Sequence, residues 1–487
     1  HGIIAFVTNH SYLDNPTFRI MRKVLLETFD DIYIIDLHGN SRRKEQTPEG
    51  FADKNVFDIQ QGVAIGIFVK SPNHQSNTLA TVHHVDLWGR NRPIKHEWLN
   101  THDISNTDWT TFEPYAPFYA FTPATSGVRN GYATYPQITD IFPQNVMGIQ
   151  THRDAIAVDF KRQQLEQKIM RYLKSSSLSE QIKNSIYRSL YRPYDFRYIT
   201  FSKQVNDRPR RLLLQHVVGR DNLCLGVGRQ GSAVADKMWS LAMVSNLPMD
   251  ANLFRRGGVQ VCPLYLYRQS DELDLNGGEF DYDSNGRRPN LSIAFVKQLE
   301  AQFDKKFMTD FTPEDIFYYA YAMLNSPTYR TRYADFLKID FPRLPIVGEF
   351  EYFMQLAQLG KKLTEWHIMT HPNIRPPSDF AIYPILLSDD IDGLVEAEHI
   401  RYDDAHQRIF INLDQYFDKI SPDIWDFYTG GYQILDTWLR ERIGQKLTYQ
   451  DVDDYRRMAW IAQNTLQIMA EIDVVLAEAL LFEQLGD

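Results

Sequence analysis

Residues 2–37, GIIAFVTNHSYLDNPTFRIMRKVLLETFDDIYIIDL, decide the fold. Two apolar runs, 2–7 (GIIAFV) and 32–37 (IYIIDL), flank a stretch in which Phe18, Met21, Val24, Leu25 and Phe29 recur near the helical period. A third run, 62–69 (GVAIGIFV), follows the loop 38–55, which is charged and rich in turn residues and is therefore predicted to be exposed. The order predicted is strand, helix, strand, loop, strand. Near-continuous apolar strands joined through a helix suit a sheet covered on both faces, the end of an α/β domain.

Outward from there, the tract SPNHQSNT at 71–78 marks a boundary. Residues 159–176 and 179–189 have helical spacing. Short apolar runs at 198–201, 212–218, 223–227 and 259–267 predict a β-rich module. Thr312 caps a helix begun by Pro313, and the last hundred residues are mainly helical, with a break near Asp454 in the run 447–481. The fold class expected is multidomain, α/β and then α+β. Its units are 1–75 (a sheet end), 76–386 (mixed α+β) and 387–487 (mainly helical).

With 487 residues, 43% apolar and 23% charged, the composition excludes disorder, collagen and a disulfide-stapled miniprotein. No 18-residue apolar run and no secretory signal occur, so a soluble protein with no membrane contact is expected. The start at His1, directly on an apolar run, is read as a piece of a longer polypeptide. Cys224 and Cys262 are expected to be buried reduced thiols. The net charge of −10 hides an asymmetry: residues 187–258 hold 12 Lys/Arg against 5 Asp/Glu, whereas residues 388–487 hold 8 against 21. The first segment is built to meet an anion.

No GxxxxGK[ST], GxSxG or HExxH motif is present. His83, His84, His96 and His102 lack Cys or spaced carboxylate partners, so no metal is expected. Gly226, Gly228 and Gly231 (GVGRQG) are read as a turn between strands in preference to a phosphate cradle. The most informative local feature is the basic, aromatic stretch 191–212, YRPYDFRYITFSKQVNDRPRRL. Arginine offers a planar fork to phosphate or guanine, and aromatic rings stack on bases. Arg192, Asp195 and Arg197 are read as an internal ion-pair network around buried tyrosines. Arg208, Arg210 and Arg211, in a Pro-broken loop, are read as facing an anion.

These residues also carry a resemblance. The opening through NVFDIQQGVAIGIFVK is similar to the second half of the catalytic domain of N6-adenine DNA methyltransferases. YRPYDFRYITF, VCPLYLY, SPTYRTRYADFLKIDFPRLP and WDFYTGGYQILDTWL resemble, in order, the carboxy-terminal part of type ISP restriction-modification enzymes. The resemblance implies a Rossmann-like methyltransferase sheet end over 1–75, followed by a target-recognition domain that binds duplex DNA. It further implies a cytoplasmic bacterial parent that also contains nuclease, ATPase and the amino-terminal methyltransferase half. That parent would use S-adenosylmethionine to methylate adenine and would cleave unmethylated DNA in defence against phage. The S-adenosylmethionine motif and the NPPY-type tetrad are expected before His1, so this chain alone should transfer no methyl group.

An adenine amine must leave the duplex to react, and Phe57 in NVFDIQQ matches the family's flipped-base aromatic, with a core role as the alternative. Candidate DNA contacts are Lys203, Arg208, Arg210, Arg211, Arg220, Arg229, Gln230, Arg255 and Arg256. Three rival readings stand beside this one. They are the tail of a standalone or type IIG methyltransferase, an interaction module that barely touches DNA, and an enzyme built on Asp389/Asp390 and Asp403/Asp404.

Overall fold

The computed structural model describes residues 1–41, 45–72, 78–114, 116, 118–123, 131–208, 210–229, 238–255, 258–268, 280–383 and 393–479. The opening forms a five-stranded sheet from β1 (Gly2–Asn9), β2 (Asp31–Asp36), β3 (Val63–Lys70), β4 (Thr81–Asp86) and β5 (Thr110–Phe112), ordered β1-β3-β2-β4-β5. β3 lies antiparallel between β1 and β2, while β4 runs parallel to β2. The helix Arg19–Thr28 connects β1 to β2 and buries Leu26 against Ile32, Ile34, Phe68 and Val82.

Two expectations change here. The sheet does not end at residue 75, because β4 and β5 supply its last strands. Arg22 ties the following segment down as well: fully buried, it donates to the carbonyls of Tyr12 (2.8 Å), Asn15 (2.8 Å), Phe118 (2.7 Å) and Tyr119 (2.9 Å). Nor is the sheet covered throughout. Ile3, Ile4, Phe6 and Val7 of β1 and Ile20, Met21 and Val24 of the helix are exposed, and of these Phe6 still stacks on Phe68 with ring centroids 5.1 Å apart.

A second core forms where β7 (Val158–Asp159), β8 (Ile186–Arg192) and β9 (Asp195–Thr200) pair in the order β7-β9-β8 under the helix Arg162–Leu173. Residues 179–189 are therefore not one helix. After the short turn of helix Glu180–Lys183, the aromatic and β-branched IYRSLYR extends into β8 and closes on β9. A four-stranded sheet, β11-β10-β12-β6, follows, from β6 (Val146–Met147), β10 (Cys224–Val227), β11 (Ala242–Ser245) and β12 (Gln260–Pro263). Cys224 and Cys262 are buried free thiols on its adjacent strands, as expected. Residues 212–218, read as a strand, are the helix Arg211–Val217. Their buried residues Leu213 and Val217 stand four apart and Leu212 faces solvent, a helical and not an alternating pattern.

The largest core is helical. Pro313–Asn325 starts as predicted, with Thr312 and Asp315 forming a reciprocal cap. It crosses Phe350–His367 so closely that a Cβ on Gly360 would lie 1.9 Å from the Tyr318 carbonyl oxygen. Tyr449–Glu478 runs unbroken through Asp454, because the acids of DVDD sit in its first turns, Asp451 capping the start with Thr448 and Asp453 and Asp454 pairing with Arg457 one turn on. His367 joins the three helices through Tyr321 and, at 2.9 Å, Thr465.

Candidate base pocket and nucleic-acid interface

β2 and β4 are level, Ile32 with Val82, Ile34 with His84 and Asp36 with Asp86, so both strands end in an aspartate on the same face. β1 leads into His10, whose Nδ1 lies 3.0 Å from Asp36 Oδ1. His38 bridges Asp86 (2.8 Å) and Glu45 (3.2 Å) and stacks on Trp88 with ring centroids 3.4 Å apart. Burial pulls the His38 imidazole down, but its bonds to Asp86 and Glu45 and the nearby Asp36 charge outweigh this and raise it to about 9. Burial would raise Glu45 and Asp86, yet bonding to His38 holds both below the usual carboxylate range.

This network anchors the loop leading to β3. Asp53 and Lys95, both fully buried, pair at 2.7 Å; Lys95 also donates to the Leu37 carbonyl and Gly89 N–H to Asp53. Asn55 donates to the carbonyls of Gly39 (3.1 Å) and Gln61 (2.7 Å) and accepts from the Phe57 N–H (2.8 Å). Between the loop and the helix Arg92–Thr101 lies a cavity of about 880 Å³, lined by Gly39, Glu45, Asn55, Phe57, Gln60 and Arg92 among others. Phe57 is 44% exposed there. Arg92 donates to its carbonyl and pairs with Asp58.

The second constellation centres on Gln150. Its backbone pairs with Arg208, and its side-chain oxygen accepts from Arg208 (3.5 Å) and Arg210 (3.1 Å). Arg210 is half-buried in a left-handed conformation, its Nε without a hydrogen-bond partner among the described residues. Ile149 bonds to Met249 and Ala251, which brings residues 249–255 alongside. Lys203, Arg211, Arg229 and Arg255 are exposed; Arg229 follows the end of β10 that pairs with Gln260, and the Arg255 N–H meets the Gly430 carbonyl. Arg220 is not part of this group. It precedes the opposite end of β10, over the Tyr267 ring of the hairpin β13 (Tyr265–Tyr267) and β14 (Arg287–Pro289). Gln230 and Arg256 lie outside the described residues.

Arg192, Asp195 and Arg197 form an internal network: Arg192 pairs with Asp250 (3.0 Å), and Arg197 with Asp195 (2.7 Å) and Glu441 (2.9 Å). Gly226, read as part of a turn, lies within β10 and Gly228 just beyond its end, where Met249, Val259 and Phe254 fill the space a Cβ would need; Gly231 is outside the described residues. The sequence reading missed Gln150, Arg92 and a cation–aromatic cluster of Arg268, Arg287 and Arg288 with Tyr265 and Tyr282. Only the spacing GRNRP around Arg92 offered a signal.

The sheet end and the sheets and helices behind it thus carry a pocket and a cationic face on one chain. The family model for the Type ISP C-terminal specificity domain matches residues 170–471, and the chain belongs to that family. No curated protein matches it. Among solved structures, it is similar to the ATP-dependent Type ISP restriction-modification enzyme LlaBIII bound to DNA, with a TM-score of 0.69 at 20% identity over 97% of this chain and 32% of that one. The DrdV–DNA complex matches at TM-score 0.67 and 22% identity, over 96% and 50% of the two chains. A nuclease-deletion mutant of the Type ISP enzyme LlaGI with a DNA substrate mimic gives 0.66 and 19%, over 96% and 39%. The chain spans at most half the length of these relatives. Among the described residues, no helix is long and apolar enough to cross a membrane.

Proposed function

We propose that this chain is the target-recognition part, with the end of the methyltransferase sheet, of a type ISP restriction-modification enzyme. It binds duplex DNA and presents one adenine to a site completed by the amino-terminal methyltransferase half. The sheet unit, read from sequence as 1–75, extends to about residue 121 because Arg22 and β4–β5 make the following segment part of it. The recognition region runs from there to 386. Of the last unit, 387–487, the described residues 393–479 pack against it, one link being the Arg197–Glu441 pair.

The observation that carries the reading is the specificity-domain match over 170–471, which spans the cationic loop around Arg208 and Arg210. Lys203, Arg208, Arg210, Arg211, Arg229 and Arg255 meet DNA, and Gln230 and Arg256 belong to the same loops by sequence. Arg220 serves at most an outlying phosphate. Phe57 lines the cavity that takes the flipped base, and Asn55 and Arg92 hold its loop. The parent, in a bacterial cytoplasm, takes methyl groups from S-adenosylmethionine for adenine N6 and cleaves unmethylated phage DNA. The chain alone transfers none.

The test is selection of this chain on random duplex DNA at two salt concentrations, with sequencing of what is retained. Enrichment of one short asymmetric motif, with affinity falling as salt rises, is expected. Equal retention of all sequences, or retention indifferent to salt, would overturn the reading.

A further inference from the structure

The aspartates that end β2 and β4 bracket a histidine whose Nε2 comes only to 3.9 Å from Asp86 Oδ1. His84 is 1% exposed, and neither ring nitrogen finds a hydrogen bond among the described residues. A buried imidazole left so in a well-packed core is rare and points to a missing ligand. The strand register puts it one step below the aspartates on their own face, since Ile34 lies opposite His84 and Asp36 opposite Asp86. One donor atom from each of Asp36, His84 and Asp86 lies within 4.8 Å of the other two.

We propose that Asp36, His84 and Asp86 bind one divalent transition-metal ion at the carboxyl end of the first sheet. Their carboxylates are already oriented for it. Asp36 Oδ1 accepts from His10 Nδ1 (3.0 Å) and the His38 N–H (2.9 Å), while Oδ2 makes no hydrogen bond among the described residues and has the His38 ring at 3.8 Å. Asp86 Oδ1 accepts from His38 Nε2 (2.8 Å), and its Oδ2 likewise makes no hydrogen bond among the described residues. Such outer partners fix ligand orientation at metal sites. The neighbouring trio His10, His38 and Glu45 also converges, but its donor atoms are spent on these bonds.

One imidazole with two carboxylates favours Zn²⁺ or Mn²⁺ over Mg²⁺ or Ca²⁺, which prefer oxygen-only shells. Asp86, 44% exposed, gives the ion a route in. His83 does not take part, being stacked on Tyr33 (4.4 Å) and bonded to Asp31 (3.0 Å). A bound ion would hold the ends of β2 and β4 together beside the loop that carries Phe57.

The test uses the untagged chain, stripped with EDTA and then incubated with Zn²⁺, Mn²⁺, Mg²⁺ or Ca²⁺. Retained metal is counted by mass spectrometry after desalting, and thermal unfolding is followed for each ion. One equivalent of Zn²⁺ or Mn²⁺ per chain is expected, with Tm raised by several degrees. Asp86→Asn and His84→Leu should each abolish retention and the shift, Asp86→Asn from a lowered metal-free Tm because Asp86 also holds His38, while His83→Ala changes neither. Failure of the wild-type chain to retain either ion, an equal shift with Mg²⁺ or Ca²⁺, or full retention by Asp86→Asn overturns the proposal. Should His84→Leu fail to fold, Asp86→Asn decides alone.

Discussion

The pocket end of the first sheet and the cationic face around Gln150 solve opposite problems. Around Phe57, backbone and side chains are held by charge pairs: the fully buried Asp53 with Lys95, and the buried His38 with Glu45 and the half-exposed Asp86. Around Arg208 and Arg210, one glutamine side chain accepts from both guanidinium groups, and the only further ion pair of either among the described residues is that of exposed Arg208 with Asp207 at 3.7 Å, so both arginines stay on a loop that can turn toward a ligand. A site that must fit one chemical group needs a fixed frame, because small displacements are costly to fit. A site that reads sequence needs side chains on loops, where exchanging one reader leaves the frame intact.

The largest effect should come from breaking the rigid side. Lys95→Met strands Asp53 without its cation in a fully buried position, and stability should fall by about 3–5 kcal/mol in denaturant unfolding. Adding Asp53→Leu to Lys95→Met should recover much of that loss, since the stranded charge and not the lost attraction dominates. If Lys95→Met alone is neutral, the frame does not rest on this pair.

A comparable effect, spread over pH, belongs to the helical core. Burial, with Arg330 nearby, lowers His367 to about 3, so the folded chain leaves it neutral while the unfolded chain takes up a proton below about 6.5. The unfolded state then binds more protons, so stability is complete above pH 6.5 and is lost as pH falls toward 3, by a few kcal/mol. Thr465 already donates its hydroxyl to Ile461, so His367 Nε2–H donates to Thr465 and Nδ1 accepts from Tyr321. His367→Gln should be less stable at pH 7 and should flatten the slope. An unchanged slope would assign the acid sensitivity to other groups, His216 among them, which burial lowers to about 4.

The contrast also separates what the sequence disclosed from what it withheld. β1, β2 and β3 are legible because apolar runs at strand spacing report local burial. So is the Thr312–Pro313 helix start, a cap written in adjacent residues. The strand expected at 212–218 fails because LLLQHVV is apolar enough for either state, and only the solvent-facing Leu212 decides it. Arg192 and Arg197 are placed correctly in an internal network because Asp195 stands beside them, though Asp250 and Glu441, which complete it, are 58 and 244 residues away. Gln150 is invisible for the same reason: its partners lie 58 and 60 residues on. His84 has one carboxylate, Asp86, two residues away in the same strand, but the other, Asp36, is remote in sequence, and only the parallel register of β2 and β4 brings it there.

On the reading face, effects should be smaller and divide by role. Arg210 is half-buried and oriented by Gln150, so Arg210→Ala should weaken binding to the selected site by about 1–3 kcal/mol while leaving random duplex nearly unaffected. Gln150→Ala should reproduce part of that loss, because it frees the same guanidinium. Lys203, exposed, should act on phosphate: Lys203→Ala lowers affinity for all sequences and reduces the salt slope by about 1. Arg220→Ala, at the far end of β10, should change neither, and fluorescence anisotropy at several salt concentrations measures all four. An Arg220→Ala loss as large as that of Arg210→Ala would mean that the DNA-facing surface extends across the whole sheet to the Tyr265–Tyr267 hairpin.

The smallest stability effect is the one that most sharpens the comparison. Phe57 is 44% exposed and lines the cavity instead of a core, so Phe57→Ala should alter unfolding free energy by no more than about 0.5 kcal/mol. Its consequence should appear only when a base enters. With the methyltransferase half restored and 2-aminopurine at the target position, the wild-type protein should raise fluorescence as the base leaves the stack, and Phe57→Ala should lower that rise while Phe57→Trp preserves it. A core aromatic shows the reverse pattern, a large loss of stability and no selective loss of base capture, so the two measurements together decide whether this ring belongs to the frame or to the site the frame holds.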